Sequence, residues 1–222
     1  MDAIDVNAPG PGGPPEPAGY RRATGSKRGE ARRQDLLARV TDDLAANGLV
    51  DFSLRRAARA AGSTHKVLLY YFDGADDLLR QAILRLRERR IENALAAATQ
   101  GPDRLALSAR VRAIWPILVR DASGLRVLDQ AIGLAMYDPA RYADLGREAS
   151  QQYLPSLLYI CPQHWTEPRK LEVAEMILAA MRGFLVDRLT RGEAANVDAG
   201  LRALGRALDR EEAAGEPPPG DR

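Results

Sequence analysis

The residues best equipped for chemistry lie between Ser53 and Tyr71. Thr64, His65 and Lys66 stand in succession at the start of a short helical pattern, and Tyr70 and Tyr71 follow one turn after Lys66. Hydroxyl, imidazole and ammonium groups raised from the first turn of a helix can hydrogen-bond to the edges of bases in a major groove about 12 Å wide. The free N–H groups at such a helix start attract phosphate. Ser53 and Arg55, at the start of the preceding helical pattern, are placed to hold phosphates alongside it, and the two tyrosines to contact the backbone. This chemistry is recognition of a polyanion rather than bond making.

Two elements must hold these groups in place. Leu54, Ala57, Ala58 and Ala61 recur at three- and four-residue spacing, which predicts a small alanine-rich helix capped by Ser53. Gly62 stops it where a positive φ is cheap, and Ser63 or Thr64 caps the next helix. In that next helix Val67, Leu68, Tyr71 and Phe72 mark the buried side, leaving His65, Lys66, Leu69 and Tyr70 outward. Two short helices meeting sharply at a glycine form a helix-turn-helix. A first helix over residues 29–47, with Leu36, Leu37, Val40 and Leu44 inward, completes the core, and a fourth begins after Asp73-Gly74 with Asp76 and Asp77 in its first turn.

The run AARAAGSTHKVLLYYF followed by DGADDLL, preceded by Asn47-Gly48 and Phe52-Ser53, resembles the TetR family of transcriptional regulators. The resemblance covers residues 28 to 90. It implies an N-terminal DNA-binding unit and a larger helical domain for an effector and for dimerisation. Leu69 and Ala75 depart from the pattern, since the family usually carries Tyr and Lys there as phosphate contacts.

Composition agrees with a globular protein: 28% of residues are charged and 45% hydrophobic, and no apolar run approaches the roughly 18 residues of a membrane span. The N-terminus lacks a signal-peptide layout, and a cytoplasmic location is expected. The single cysteine, Cys161, excludes an intrachain disulfide. Two histidines, His65 and His164, give no metal-ligand spacing, and neither a phosphate-binding glycine loop nor a G-x-S-x-G elbow occurs. No cofactor, metal or enzymatic activity is expected. The net charge of +2 conceals a polarity: residues 20–99 hold 16 Lys and Arg against 10 Asp and Glu, so the positive excess sits with the helix-turn-helix. The alternative reading is a helical ligand-binding or enzymatic protein whose first helices bind no DNA.

The whole chain reads as all-α. Residues 1–27, rich in proline and glycine, form a disordered arm; residues 28–75 form the helix-turn-helix domain; residues 76–210 form the effector and dimerisation domain; residues 211–222 form a disordered tail. Within the larger domain the Arg85–Arg90 run reads as a solvated face, and Pro116 interrupts the Leu107, Val111, Ile114, Leu118 stripe. Trp115, Met136, Tyr137, Tyr153, Trp165, Met176 and Phe184 are the candidates to line a small-molecule pocket. No charged anchor stands out, which favours an apolar or neutral effector. The last two long helices carry stripes suited to a homodimer: Leu171, Ala174, Leu178, Met181 and Leu185 beside Val173, Ile177 and Phe184, then Val197, Leu201, Leu204 and Leu208. The expected partners are a double-stranded DNA operator, a second copy of the chain and a small molecule, with no membrane.

Overall fold

A computed structural model describes residues 26–100, 105–120, 122–192 and 197–214, and every regular element among them is an α-helix. All of the expected arm except Ser26 and Lys27, which cap and begin the first helix, and most of the expected tail lie outside those residues. α1 spans Lys27–Asn47, α2 Leu54–Ala60, α3 His65–Tyr71 and α4 Ala75–Thr99. α5 (Leu107–Arg120), α6 (Ala122–Tyr137), α7 (Pro139–Ile160), α8 (Glu167–Arg191) and α9 (Val197–Ala214) complete the chain. α9 therefore continues four residues past the boundary expected at Arg210.

Local chemistry accounts for the helix boundaries of the first half. Ser26 Oγ accepts from the Gly29 amide at 3.0 Å, Ser53 Oγ from Arg56 at 3.3 Å and Thr64 Oγ1 from Val67 at 3.3 Å. Each bond satisfies one of the amides that a helix start leaves without an intrahelical acceptor. Gly62, at φ +59°, makes the turn between α2 and α3 that a side chain would strain. At the head of α4 the Asp77 carboxylate accepts from the Asp73 amide at 2.9 Å.

Leu36, Leu37, Val40 and Leu44 of α1 pack with Ala57, Ala58, Leu68 and Phe72 and with Leu78, Leu79, Ala82, Ile83 and Leu86 of α4. This core does not end at the helix-turn-helix unit. Val127, Leu128 and Ala131 of α6 and Leu145 of α7 belong to it. Gln130, also on α6, accepts from the Leu49 amide at 3.0 Å just beyond α1. A second core gathers Leu107, Val111, Ile114 and Leu118 of α5 with Ile160, Val173, Ile177, Met181, Leu185, Leu204 and Leu208. α4 serves both, because Ala94, Leu95 and Ala98 near its end pack into the second.

Two expectations change here. Arg87 and Arg90, assigned to a solvated run, are only 1% and 5% exposed, because α4 passes beneath α6 and α7 and their three-residue spacing turns both inward. Arg85 and Arg89 stay outward, against Gln34 and Asp42. The α9 stripe of Val197, Leu204 and Leu208 is buried within its own chain against α5 and α8. On α8 most of the two stripes merges into one inward face, Val173, Ala174, Ile177, Met181 and Leu185, leaving Leu171 of the expected stripe outward with Met176, Ala179, Gly183 and Val186. At Gly200 a Cβ would meet the Phe184 ring at 2.5 Å, so any side chain there would force that ring aside.

Leu68 is fully buried and is the sole buried residue of the seven-residue α3. Leu68→Ala should cost about 2 to 5 kcal/mol, read from chemical denaturation of the full chain.

Candidate functional site

The reading face is built on α3. Thr64, His65, Lys66, Leu69 and Tyr70 are all exposed, as the spacing predicts, and Arg55 and Arg59 of α2 are exposed beside them. The Ser53 and Thr64 oxygens are occupied as helix caps, although each hydroxyl keeps its proton to donate. Tyr71 is half-buried and packs against the head core, with the Tyr70 ring edge-on at 4.9 Å. Tyr70 is thus the more accessible of the two. Val67 was expected inside and is 36% exposed. In so short a helix Leu68 and Phe72, four residues apart, are enough to anchor it, and Val67 lies beside that line. Arg56 is not part of the outer face: its guanidinium bonds Asp43 at 2.8 Å and the Val50 carbonyl at 2.8 Å, tying α2 to α1.

The second feature is a cavity inside the larger domain, enclosed by α4 to α8, with about 90 Å³ of room for the centres of water-sized molecules. Ile91, Leu95, Leu118, Leu125, Leu157 and Ile177 supply much of its apolar wall. Of the seven residues proposed from sequence, Tyr153 alone lines it. Met136 and Tyr137 end α6 at 80% and 90% exposure, and Met176 lies on the outer face of α8. Trp115 and Phe184 meet edge to face at 6.4 Å, with Trp115 on a separate groove between α5 and α9. Trp165 is buried under Arg169, whose guanidinium lies 5.5 Å from the ring centroid. Residues of these types at helical spacing fill cores and cover surfaces as readily as they line pockets, so type alone could not separate them.

Sequence reasoning missed the polar part of the cavity. Arg87, Arg90, Asp129 and Arg182 line it with Tyr153. Arg87 donates to the Leu145 carbonyl at 2.8 Å and to Gln152 at 3.3 Å, and Arg90 to the Leu118 carbonyl at 2.9 Å. Burial pulls the pKa of Arg87 and of Arg182 below the usual guanidinium value, and it pushes the Asp129 carboxyl up against the opposing pull of Arg90 and Arg182. The Tyr153 hydroxyl is raised by burial and drawn back partly by Arg90, Arg87 and Arg182. The available signal was the three-residue spacing of Arg87 and Arg90 on a helix whose preceding turns carry Leu79, Ile83 and Leu86 on the same side.

Among the described residues no group of three His, Cys, Asp or Glu side chains is placed to hold a metal ion, and no helix is long and apolar enough to cross a membrane. His164 is exposed in the α7–α8 connection.

No family model matches the sequence, and no curated protein matches it. Solved structures do. A protein from Rhodococcus sp. assigned to the TetR family of transcriptional regulators aligns with a TM-score of 0.63 at 15% identity, over 82% of this chain and 98% of that one. The chain has the TetR-family fold. Other structures with this fold give the same picture: the multidrug binding protein EbrR complexed with imidazole (TM-score 0.62, 18% identity, 86% of this chain and 93% of that one) and GusR of Salmonella enterica (0.61, 17%, 85% and 98%). In this TetR fold the α2–α3 pair is the helix-turn-helix and α4 to α9 make up the larger helical part.

Cys161 is buried at the end of α7, its thiol donating to the Leu157 carbonyl at 3.2 Å. Burial pushes the thiol pKa up to about 11, against a smaller opposing effect of Lys170. A disulfide reagent at neutral pH should therefore label the native protein far more slowly than the protein unfolded in denaturant, measured by thiolate release.

Proposed function

We propose that the protein is a dimeric, DNA-binding transcriptional regulator of the cytoplasm, a repressor whose hold on its operator is released by a small molecule in the α4–α8 cavity. The observation that carries this reading is the double membership of α4. Its first half, Leu78 to Leu86, is part of the core that supports α3, and its second half, Arg87 to Ala98, forms one wall of the cavity. A change in the wall is therefore a change in the support of the reading face.

In this reading Thr64, His65 and Lys66 address base edges. Ser53 and Arg55 hold phosphates beside α2, and Tyr70, with Tyr71 behind it, contacts the backbone. Leu69 can offer no hydrogen bond, so Tyr70 takes over the phosphate role, and Ala75 leaves the start of α4 without a cation. The partner copy docks on the outward side of α8, where Met176, Ala179, Gly183 and Val186 form an apolar, small-residue strip and a Cβ added at Gly183 would meet nothing within 4 Å. Two reading heads must lie about 34 Å apart to enter successive major grooves, and a small swing of α4 in each copy breaks that spacing. The ligand needs only to favour the swung arrangement over the docked one.

α6 adds a second link. Asp129 lines the cavity, and its neighbour Gln130 holds the Leu49 amide of the head. Movement of one is felt at the other.

A gel shift with the DNA upstream of the gene should show affinity falling steeply with salt. Lys66→Ala should weaken binding and lower the salt slope by about one, and Lys66→Ala with Tyr70→Ala should weaken it further. A double variant that binds as tightly as the parent would place the reading face elsewhere. Gln130→Ala should lower unfolding stability by about 0.5 to 1.5 kcal/mol and speed hydrogen exchange at the Leu49 amide while leaving the α8 amides unchanged.

A further inference from the structure

Arg28, Arg32, Asp35 and Arg39 of α1 follow one another at spacings of four, three and four residues, which stacks them along a single face of the helix. The three arginines are exposed. Asp35 stands between two of them: Arg32 Nη1 donates to one of its oxygens at 2.7 Å and Arg39 Nε to the other at 3.1 Å. The other acids of α1 are engaged elsewhere, Glu30 with Arg33 and Gln34, Asp42 with Arg89 and Asp43 with Arg56. On this edge three guanidiniums therefore stand against one carboxylate.

The edge runs beside the reading helix. Arg39 Nη1 is 3.7 Å from the place a Cβ would take at Gly62, in the turn that leads into α3. At the far end of α3 the Arg33 guanidinium lies 5.2 Å from the centroid of the Phe72 ring. α1 thus passes along α3 in the opposite direction, with Arg39 level with its start and Arg32, next to Arg33, level with its end. Arg28 lies about one turn beyond. A guanidinium has five N–H donors, and each bond to Asp35 uses one, so Arg32 and Arg39 keep the rest for an anion arriving from outside. The side chains of Arg32, Arg39 and Asp35 are 45%, 53% and 39% exposed. Ion pairs this wet contribute little, and a phosphate oxygen can take over from Asp35 at small cost.

We propose that this edge of α1 is a second DNA contact: Arg28, Arg32 and Arg39 hold the phosphate strand bordering the groove that α3 enters, and Asp35 is an internal competitor that holds Arg32 and Arg39 in place in the free protein and limits their grip. The inference rests on the reading of α3 as the groove-binding helix. Phosphates carry no base identity, so the edge adds affinity for any duplex and leaves the choice of sequence to α3.

The test measures binding of the full-length protein, over a series of salt concentrations, to the DNA upstream of the gene and to a random-sequence duplex of equal length. Arg28→Gln, Arg32→Gln and Arg39→Gln together should weaken both complexes by a similar factor, about tenfold or more, and lower the salt slope by about two to three. Asp35→Asn should strengthen both severalfold, and that gain should vanish when Arg32→Gln and Arg39→Gln are also present. Glu30→Gln, the same change of charge on another flank of α1, should give a smaller gain that survives loss of the two arginines. A triple variant that melts like the parent and keeps its affinity and slope would overturn the contact and leave the reading of α3 standing. So would an Asp35→Asn protein that binds no more tightly than the parent, a comparison that decides the case alone if the triple variant does not fold. A parent protein that binds neither duplex would overturn the regulator reading and this contact with it.

Discussion

The structure depends on one constraint: a single 25-residue helix must be buried against two different partners along its length. At 1.5 Å per residue α4 is about 37 Å long. Its first three turns present Leu78, Leu79, Ala82, Ile83 and Leu86 to the head core, and each large aliphatic side chain buried there is worth about 1.5 to 3 kcal/mol. Directly after them the same face presents Arg87 and Arg90. Burying those charges costs several kcal/mol apiece unless they are hydrogen-bonded. The carbonyls of Leu145 and Leu118 supply acceptors, which fixes α7 and α5 against α4. The switch from apolar to cationic burial is the point where the reading head ends and the cavity begins, with no flexible segment between.

The sequence revealed the parts whose physics is local. Caps at Ser53 and Thr64, the glycine turn at Gly62, and the Leu36–Leu44 stripe depend on neighbours within four residues, and the helices stand where those signals place them. The outward side of α3 was readable for the same reason, apart from Val67. What could not be read is set by packing between distant segments. Arg87 and Arg90 look solvated in a run of alternating charges until α6 and α7 are laid across them. Met136 and Tyr137 look like pocket residues until α6 is seen to end in solvent. The α9 leucines have the spacing of a dimer seam, and α5 of the same chain fills that role. In each case side-chain type and period were correct, and the identity of the opposing surface was missing.

That missing information also changes the picture of the cavity wall. A wall judged from its aromatic and sulfur-bearing residues looks neutral. Once α4 and α8 face each other across the cavity, Arg90 and Arg182 approach the same tyrosine, and charged groups stand beside a hydrocarbon floor. Fold likeness could not have supplied this, because a match at 15 to 18% identity shows the helix layout and not the side chains of the wall.

A site of this kind has a direct way to act on the head. Two walls link the cavity to the head: α4, which carries Arg87 and Arg90, and α6, which carries Asp129 next to Gln130 and its bond to Leu49. Both reach the core beneath α3. In the proposed regulator a ligand can shift the heads only by its difference in affinity for the docked and undocked arrangements, and about 1.4 kcal/mol of difference is a tenfold change in their ratio. By reciprocity, DNA that holds the heads at the docked spacing would weaken the ligand by the same factor. Burial of the charges in one helix is therefore what would let a small change in electrostatics become a change in geometry at the reading face.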